Sequence, residues 1–174
     1  EAVFEQSWQR LSADEQQALM GLSIFAGGLD RAAAKAVAGA TRELLARLID
    51  HSLLTQMRDS AGQMRYQLHE VVRQYALEQL LASATIAHLT AEQYCTYYAT
   101  FLARQEAALQ RSAHARHLIQ ADLDNIRAAW RWAIEQGKTA ALAQGLACLS
   151  AFYEFVGFFQ EARLMLAEAS DAVR

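Results

Sequence analysis

Hydrophobic positions change spacing several times along this chain, and each change marks an element. Phe4, Trp8 and Leu11 recur at helical intervals, and Ser12 with Glu15 gives the S-x-x-E pattern of a capping box. The stripe Leu19, Leu22, Ser23 and Ala26 runs on to Gly27-Gly28. Asp30 predicts the N-cap of a short second helix that Gly39 ends, and Thr41 predicts the cap of a third carrying Leu44, Leu45, Leu48 and Ile49. From Leu53 the period falls to two. Leu53, Thr55 and Met57 alternate with Leu54, Gln56 and Arg58, and Met64, Tyr66 and Leu68 alternate with Gln63, Arg65 and Gln67, with Asp59-Ser60-Ala61-Gly62 between them. This is the signal of a β-hairpin. Helical spacing returns after Glu70, with Val72, Tyr75, Ala76 and Leu80 on one stripe.

Three helices, a hairpin and a following helix are the order of a winged helix-turn-helix unit, here spanning residues 1–82. His69 stands at the joint between the second strand and its helix. A side chain there projects from the end of a rigid element and suits ligand contact, while capping the helix or bonding a neighbouring loop is the plainer alternative. Periodicity weakens from Ala82 to His88, which predicts a boundary and a second domain over 83–174. From Thr90 the pattern is helical, with Tyr94, Tyr97, Tyr98, Phe101 and Leu102 in one aromatic band. The band reads as a packing face, since no basic residue interleaves it before Arg104. Asp122 to Gln136 predicts another helix, with Ile126, Ala129, Trp130 and Ala133 as its core face. Beyond Lys138, the positions Leu146, Leu149, Ser150, Tyr153, Gly157, Ala162, Leu166 and Ala169 fall near the small-and-large spacing of a tetratricopeptide helix pair; a generic alanine-rich helical hairpin is the alternative. The expected fold is mainly α with one small hairpin, a winged helix-turn-helix followed by tetratricopeptide-like helices.

Composition sharpens this picture. The 174 residues contain no proline and eight glycines, which favours helices with few irregular loops. A net charge of −3 gives no general attraction to nucleic acid or anionic membrane, so DNA binding would need a local basic patch. Cys95 and Cys148 are isolated and read as buried free thiols of a reducing compartment. The apolar runs predict no transmembrane segment, and the default location is cytoplasmic. A first residue of Glu1 and a helical pattern still running at Arg174 predict that the chain continues in a longer protein.

Candidate chemistry is sparse. There is no phosphate-binding loop, dinucleotide fingerprint, zinc-protease or nucleophile-elbow motif, no paired carboxylates in apolar surroundings, and therefore no catalytic or metal residue to nominate. His114 and His117 beside Arg111 and Arg116 read as a solvated helix face. In a winged helix the third helix would enter the major groove, and it carries Arg42, Arg47 and His51 beside Glu43 and Asp50; the hairpin adds Arg58 and Arg65, but also Asp59. That near balance predicts a protein-contacting module ahead of a DNA reader, with Arg42, Arg47, Arg58 and Arg65 as the residues that would meet DNA or phosphate.

The strings F-x-x-x-W-x-x-L-S (Phe4 to Ser12), L-S-I-F-A-G-G-L (Leu22 to Leu29), L-L-x-x-L-I-D-H-S-L-L (Leu44 to Leu54), R-Y-Q-L-H-E-V-V-R-Q-Y-A (Arg65 to Ala76) and D-N-I-R-A-A-W-R-W-A (Asp124 to Ala133) occur in that order. Together they resemble the region that follows the nucleotide-binding module in bacterial STAND-type regulatory ATPases, including LuxR-type and SARP-type transcriptional regulators related to NB-ARC proteins. The resemblance implies a winged helix that folds over bound nucleotide, followed by tetratricopeptide-like repeats that sense an inducer or protein ligand. It implies ATP or ADP with magnesium in the full-length protein, and no cofactor in these residues. In the NB-ARC relatives a Met-His-Asp motif places its histidine on the diphosphate; Leu68-His69-Glu70 stands in that place, with methionine and aspartate replaced. The expected function is a non-catalytic regulatory segment whose partner is the nucleotide-binding module of its own chain. The alternatives are a stand-alone DNA-binding winged-helix factor with a helical dimerisation arm, and a peptide-binding tetratricopeptide scaffold.

Overall fold

The computed structural model describes residues 2–172; the side chains of Phe4 and Ala162, both named above, lie outside the described set. Its elements are α1 (Ala2–Gln9), α2 (Ala13–Leu22), α3 (Arg31–Ala38), α4 (Arg42–Asp50), β1 (Leu54–Arg58), β2 (Met64–Leu68), α5 (Glu70–Leu81), α6 (Ala84–Leu109), α7 (Ala113–Ala121), α8 (Leu123–Glu135), α9 (Thr139–Val156) and α10 (Phe159–Ala172). They form two compact units, Glu1–Tyr94 and Cys95–Arg174. The compact units meet inside α6, and the break between α5 and α6 falls at Ala82–Ser83. Residues 84–89 are helical although mostly exposed, so no apolar stripe marks them; with neither Gly nor Pro to stop the chain, local propensity suffices once the neighbouring turns have formed.

In the first unit the caps expected from the sequence are formed. The Asp30 carboxylate accepts from the Ala33 N–H (2.7 Å), the Thr41 hydroxyl accepts from the Leu44 N–H (3.3 Å), and Gly39 ends α3 with φ +61°. α2 stops at Leu22, earlier than Gly27, and Phe25, not Ala26, fills the core below it, edge-on to Tyr94 at 5.1 Å. Leu19, Leu22, Leu29, Leu45, Leu48, Leu54, Ala76 and Leu80 complete that interior. β1 and β2 pair antiparallel from Leu54 with Leu68 to Arg58 with Met64. A third, one-residue strand was not legible in the sequence: Leu29 exchanges both backbone hydrogen bonds with Tyr66 (2.9 and 2.8 Å), sewing the α2–α3 loop to the free edge of β2.

The second unit is helical. Tyr98 donates its hydroxyl proton to the Asp122 carboxylate (3.0 Å), which also accepts from the Asn125 amide (3.0 Å), and all three are buried. The predicted α8 face of Ile126, Ala129, Trp130 and Ala133 is buried as read. Gly137 (φ +61°) ends that helix, and Gly157 (φ +78°) separates α9 from α10 in the left-handed region that glycine adopts without strain. Of the positions read as a repeat signature, Leu149, Tyr153 and Ala169 are buried, whereas Leu146 and Leu166 remain more than a third exposed at the edge of the α8–α9–α10 contact. Cys95 and Cys148 are free and buried, and burial followed by the charge of Glu106 pushes the Cys148 thiol up to about 11, leaving it inert at neutral pH. Thr139–Val156 is long and apolar enough by length and composition to cross a membrane, a property that a core helix shares, and it packs against α8 and α10.

Two close approaches generate tests. A Cβ on Gly21 would lie 2.7 Å from Ala38 Cβ and 2.8 Å from its Cα, so α2 and the end of α3 meet on a hydrogen atom. Gly21→Ala should therefore destabilise the protein by about 1–3 kcal/mol despite alanine's better helix propensity, read as a lowered thermal midpoint by circular dichroism. Tyr98→Phe leaves the packing but strands one lone pair on a buried carboxylate. It should cost about 1–3 kcal/mol in urea denaturation; an unchanged midpoint would show the bond to be replaceable.

Candidate functional site: the third helix, the hairpin and the strand–helix corner

α4 is held against α2 by one carboxylate. Glu15 Oε2 accepts from the Ser12 N–H (2.8 Å) and hydroxyl (3.0 Å), while the Ser12 hydroxyl oxygen accepts from the Glu15 N–H (3.3 Å), completing the capping box. Its other oxygen, Oε1, lies 3.1 Å from Arg47 Nε and 3.7 Å from His51 Nε2. Glu15 is buried, and its two partners, Arg47 on α4 and His51 at the helix's C-cap, are half exposed. The Ser12 N–H holds the carboxyl below its ordinary pKa against the opposing effect of burial, and the Ser12 hydroxyl, Arg47 and His51 lower it further. The S-x-x-E spacing predicts the cap but not its link to α4, because nothing in linear spacing brings residue 15 to residue 47.

This link decides what α4 offers to solvent. Arg42 and Glu43 are exposed at its start and Arg47 and Asp50 toward its end, with Arg47 already engaged by Glu15. On the hairpin, Arg58 donates from Nη1 to the Gly62 carbonyl (2.8 Å), and Asp59 Oδ1 accepts from the Ala61 and Gln63 N–H groups, giving a tight turn at Gly62 (φ +77°). Arg65 corrects the sequence reading. It is only 7% exposed, and its Nη2 donates to the Gly28 carbonyl at 2.6 Å, so it braces the hairpin on the α2–α3 loop and is not presented to a ligand.

His69 lies where the sequence placed it, between β2 and α5. It is the N-cap residue of α5, exposed, and its side chain makes no capping hydrogen bond. Beside it, Glu70 is bidentate with Arg73 (2.8 and 3.0 Å) and accepts from Gln74, so the first turn of α5 is electrostatically self-contained. Among the described residues no group of three or more His, Cys, Asp or Glu could hold a metal ion.

Residues 11–81 match the family model of a winged helix-turn-helix domain. That is the fold of this region. The proteins Mb0914c of Mycobacterium bovis and Rv0890c of Mycobacterium tuberculosis, both carrying provisional names as HTH-type transcriptional regulators, are each 34% identical over 144 residues. The match covers 78% of this chain but only 16% of those relatives, so it spans about one-sixth of their length. No solved structure matches the chain.

The Glu15 link predicts a pH dependence. Folding lowers this pKa, so its stabilisation is complete above the unfolded value near 4.5 and is lost as pH falls through the lower folded value. Glu15→Gln should lower the urea midpoint at pH 7, and the difference from the native protein should shrink at pH 3. A constant difference at both pH values would show that the charge on Glu15 does nothing for the fold.

Proposed function

We propose that this chain is the winged-helix segment of a transcriptional regulator, cytoplasmic and without catalytic chemistry of its own. The observation that carries the proposal is the coincidence of a winged-helix unit at residues 11–81 with 34% identity to proteins named as HTH-type regulators. Two roles for α4 within such a regulator each have support. The relatives' names favour duplex DNA as the partner of α4 and the hairpin, and Arg42, Arg47 and Arg58 would then meet phosphates or base edges. The side chains favour the other role. Arg47 is held by Glu15, Arg58 is tied to its own turn and Arg65 is buried, while Glu43 and Asp50 would oppose a phosphate backbone.

On that balance the winged helix is read as a regulatory surface against which another part of the regulator docks, and the helices of residues 95–172 as a tetratricopeptide-like arm for an inducer or protein ligand. In the full-length protein the docking part would be an ATP- or ADP-bearing module. His69 fits such a neighbour, since an exposed imidazole not used for capping can donate one hydrogen bond to a phosphate oxygen. One donor does not make a nucleotide site, so phosphate and magnesium binding would rest on residues elsewhere.

Anisotropy of a labelled duplex titrated with the chain at about 50 and about 200 mM salt separates the two roles. The regulatory reading predicts no submicromolar binding at either salt; submicromolar, steeply salt-dependent binding would hand α4 to DNA. In the full-length protein, His69→Ala should speed ADP release and raise basal transcriptional output. Unchanged nucleotide exchange would remove His69 from the mechanism.

A further inference from the structure

We propose that the outer edge of β1 pairs with β1 of a second copy of this chain, antiparallel and centred on Met57. The ladder fixes which backbone groups are free to do so. Leu29 exchanges both backbone hydrogen bonds with Tyr66, so the N–H and C=O of Tyr66 point away from β1. Tyr66 stands opposite Gln56, which makes that pair a non-hydrogen-bonded one, between the hydrogen-bonded pairs Thr55–Gln67 and Met57–Arg65. The alternation therefore turns the N–H and C=O of Leu54, Gln56 and Arg58 outward, away from β2. Leu54 is buried, but Gln56, Met57 and Arg58 are exposed, and among the described residues no backbone hydrogen bond outside the hairpin ladder involves them. Neither proline, lysine nor a bulge blunts this edge, so it is a template for another strand.

What the edge would set against itself identifies the occupant. With Met57 on a two-fold axis, Gln56 of each copy faces Arg58 of the other, and the outward N–H and C=O groups of both residues are matched. Met57, 47% exposed, meets its own counterpart at the non-hydrogen-bonded position, where opposed side chains lie closest. Thr55 faces Asp59, so no like charges stand directly opposite. Centring the pair on Gln56 instead would set Arg58 against Leu54, which is closed to solvent, and would leave the two Met57 side chains apart. A contact of this size buries less surface than a stable dimer requires, so it closes when copies are concentrated or held together and opens when they are not. This contact goes beyond the role read for α4 and does not depend on it.

A disulfide scan tests the register. Met57→Cys places two thiols at the axis, where Cα atoms about 4.5 Å apart permit a bridge, while the native Cys95 and Cys148 are buried. Under mild oxidation this variant should form cross-linked dimer at least about tenfold faster than Gln67→Cys, which is exposed on the same face of the hairpin but on β2. Adding Gln56→Pro removes an outward N–H that makes no bond to β2, and should slow the cross-link about tenfold with an unchanged circular dichroism melt. The native chain should gain mass in sedimentation equilibrium between about 0.05 and about 1 mM, and Met57→Lys, which sets two ammonium groups face to face, should abolish the gain. Because Met57 is exposed, that variant keeps the proposal falsifiable should the proline variant not fold. Equal cross-linking rates at positions 57 and 67, a monomeric mass throughout, or a gain in mass that Met57→Lys leaves intact would each overturn the pairing.

Discussion

The winged-helix unit depends on a single buried carboxylate used twice. Glu15 closes the N-terminus of α2 through Ser12 and, with its second oxygen, holds Arg47 and His51 of α4. A capping glutamate could have remained in solvent. Here it is buried between two helices, where its charge is tolerable because Ser12 meets one oxygen with two hydrogen bonds and the Arg47 guanidinium meets the other. The same contact fixes the approach of α4 to the core and withdraws part of a basic side chain from its outer face. Local helix chemistry and the charge that the third helix can offer are therefore one problem.

A second constraint acts on the hairpin. β1 and β2 alone would be a marginal two-stranded ribbon. The backbone pair between Leu29 and Tyr66 and the Arg65 bond to the Gly28 carbonyl attach it to the α2–α3 loop from the opposite edge. With the hairpin anchored there, β2 delivers His69 to solvent at the start of α5. Rigid attachment on one side and open surfaces on the other are what a docking module requires.

Much of this fold was legible because its signals are local. Ser12, Asp30 and Thr41 announced helix starts, Gly39 announced an end, and the alternation from Leu53 to Leu68 announced the hairpin. Readings that needed tertiary contact failed. Arg65 looked like an exposed cation because it alternates with apolar residues, yet the α2–α3 loop, joined to β2 at Leu29 and Tyr66, offers it the Gly28 carbonyl. Ala82–His88 lost its periodic signature because a helix without a buried face has none. The candidate site was legible only in part: His69 could be placed from the change of period, whereas the Glu15–Arg47 link joins residues far apart in sequence.

The central claim is that the winged helix meets another protein surface whose engagement changes with the state of the regulator. Hydrogen exchange on the full-length protein, with ADP, with ATP and with duplex DNA, tests this directly. The account predicts that amide protection across α3, α4, the hairpin and the His69 corner differs between the two nucleotides and is indifferent to DNA. Protection of α4 and the hairpin that appears only with DNA, and is the same with either nucleotide, would contradict it.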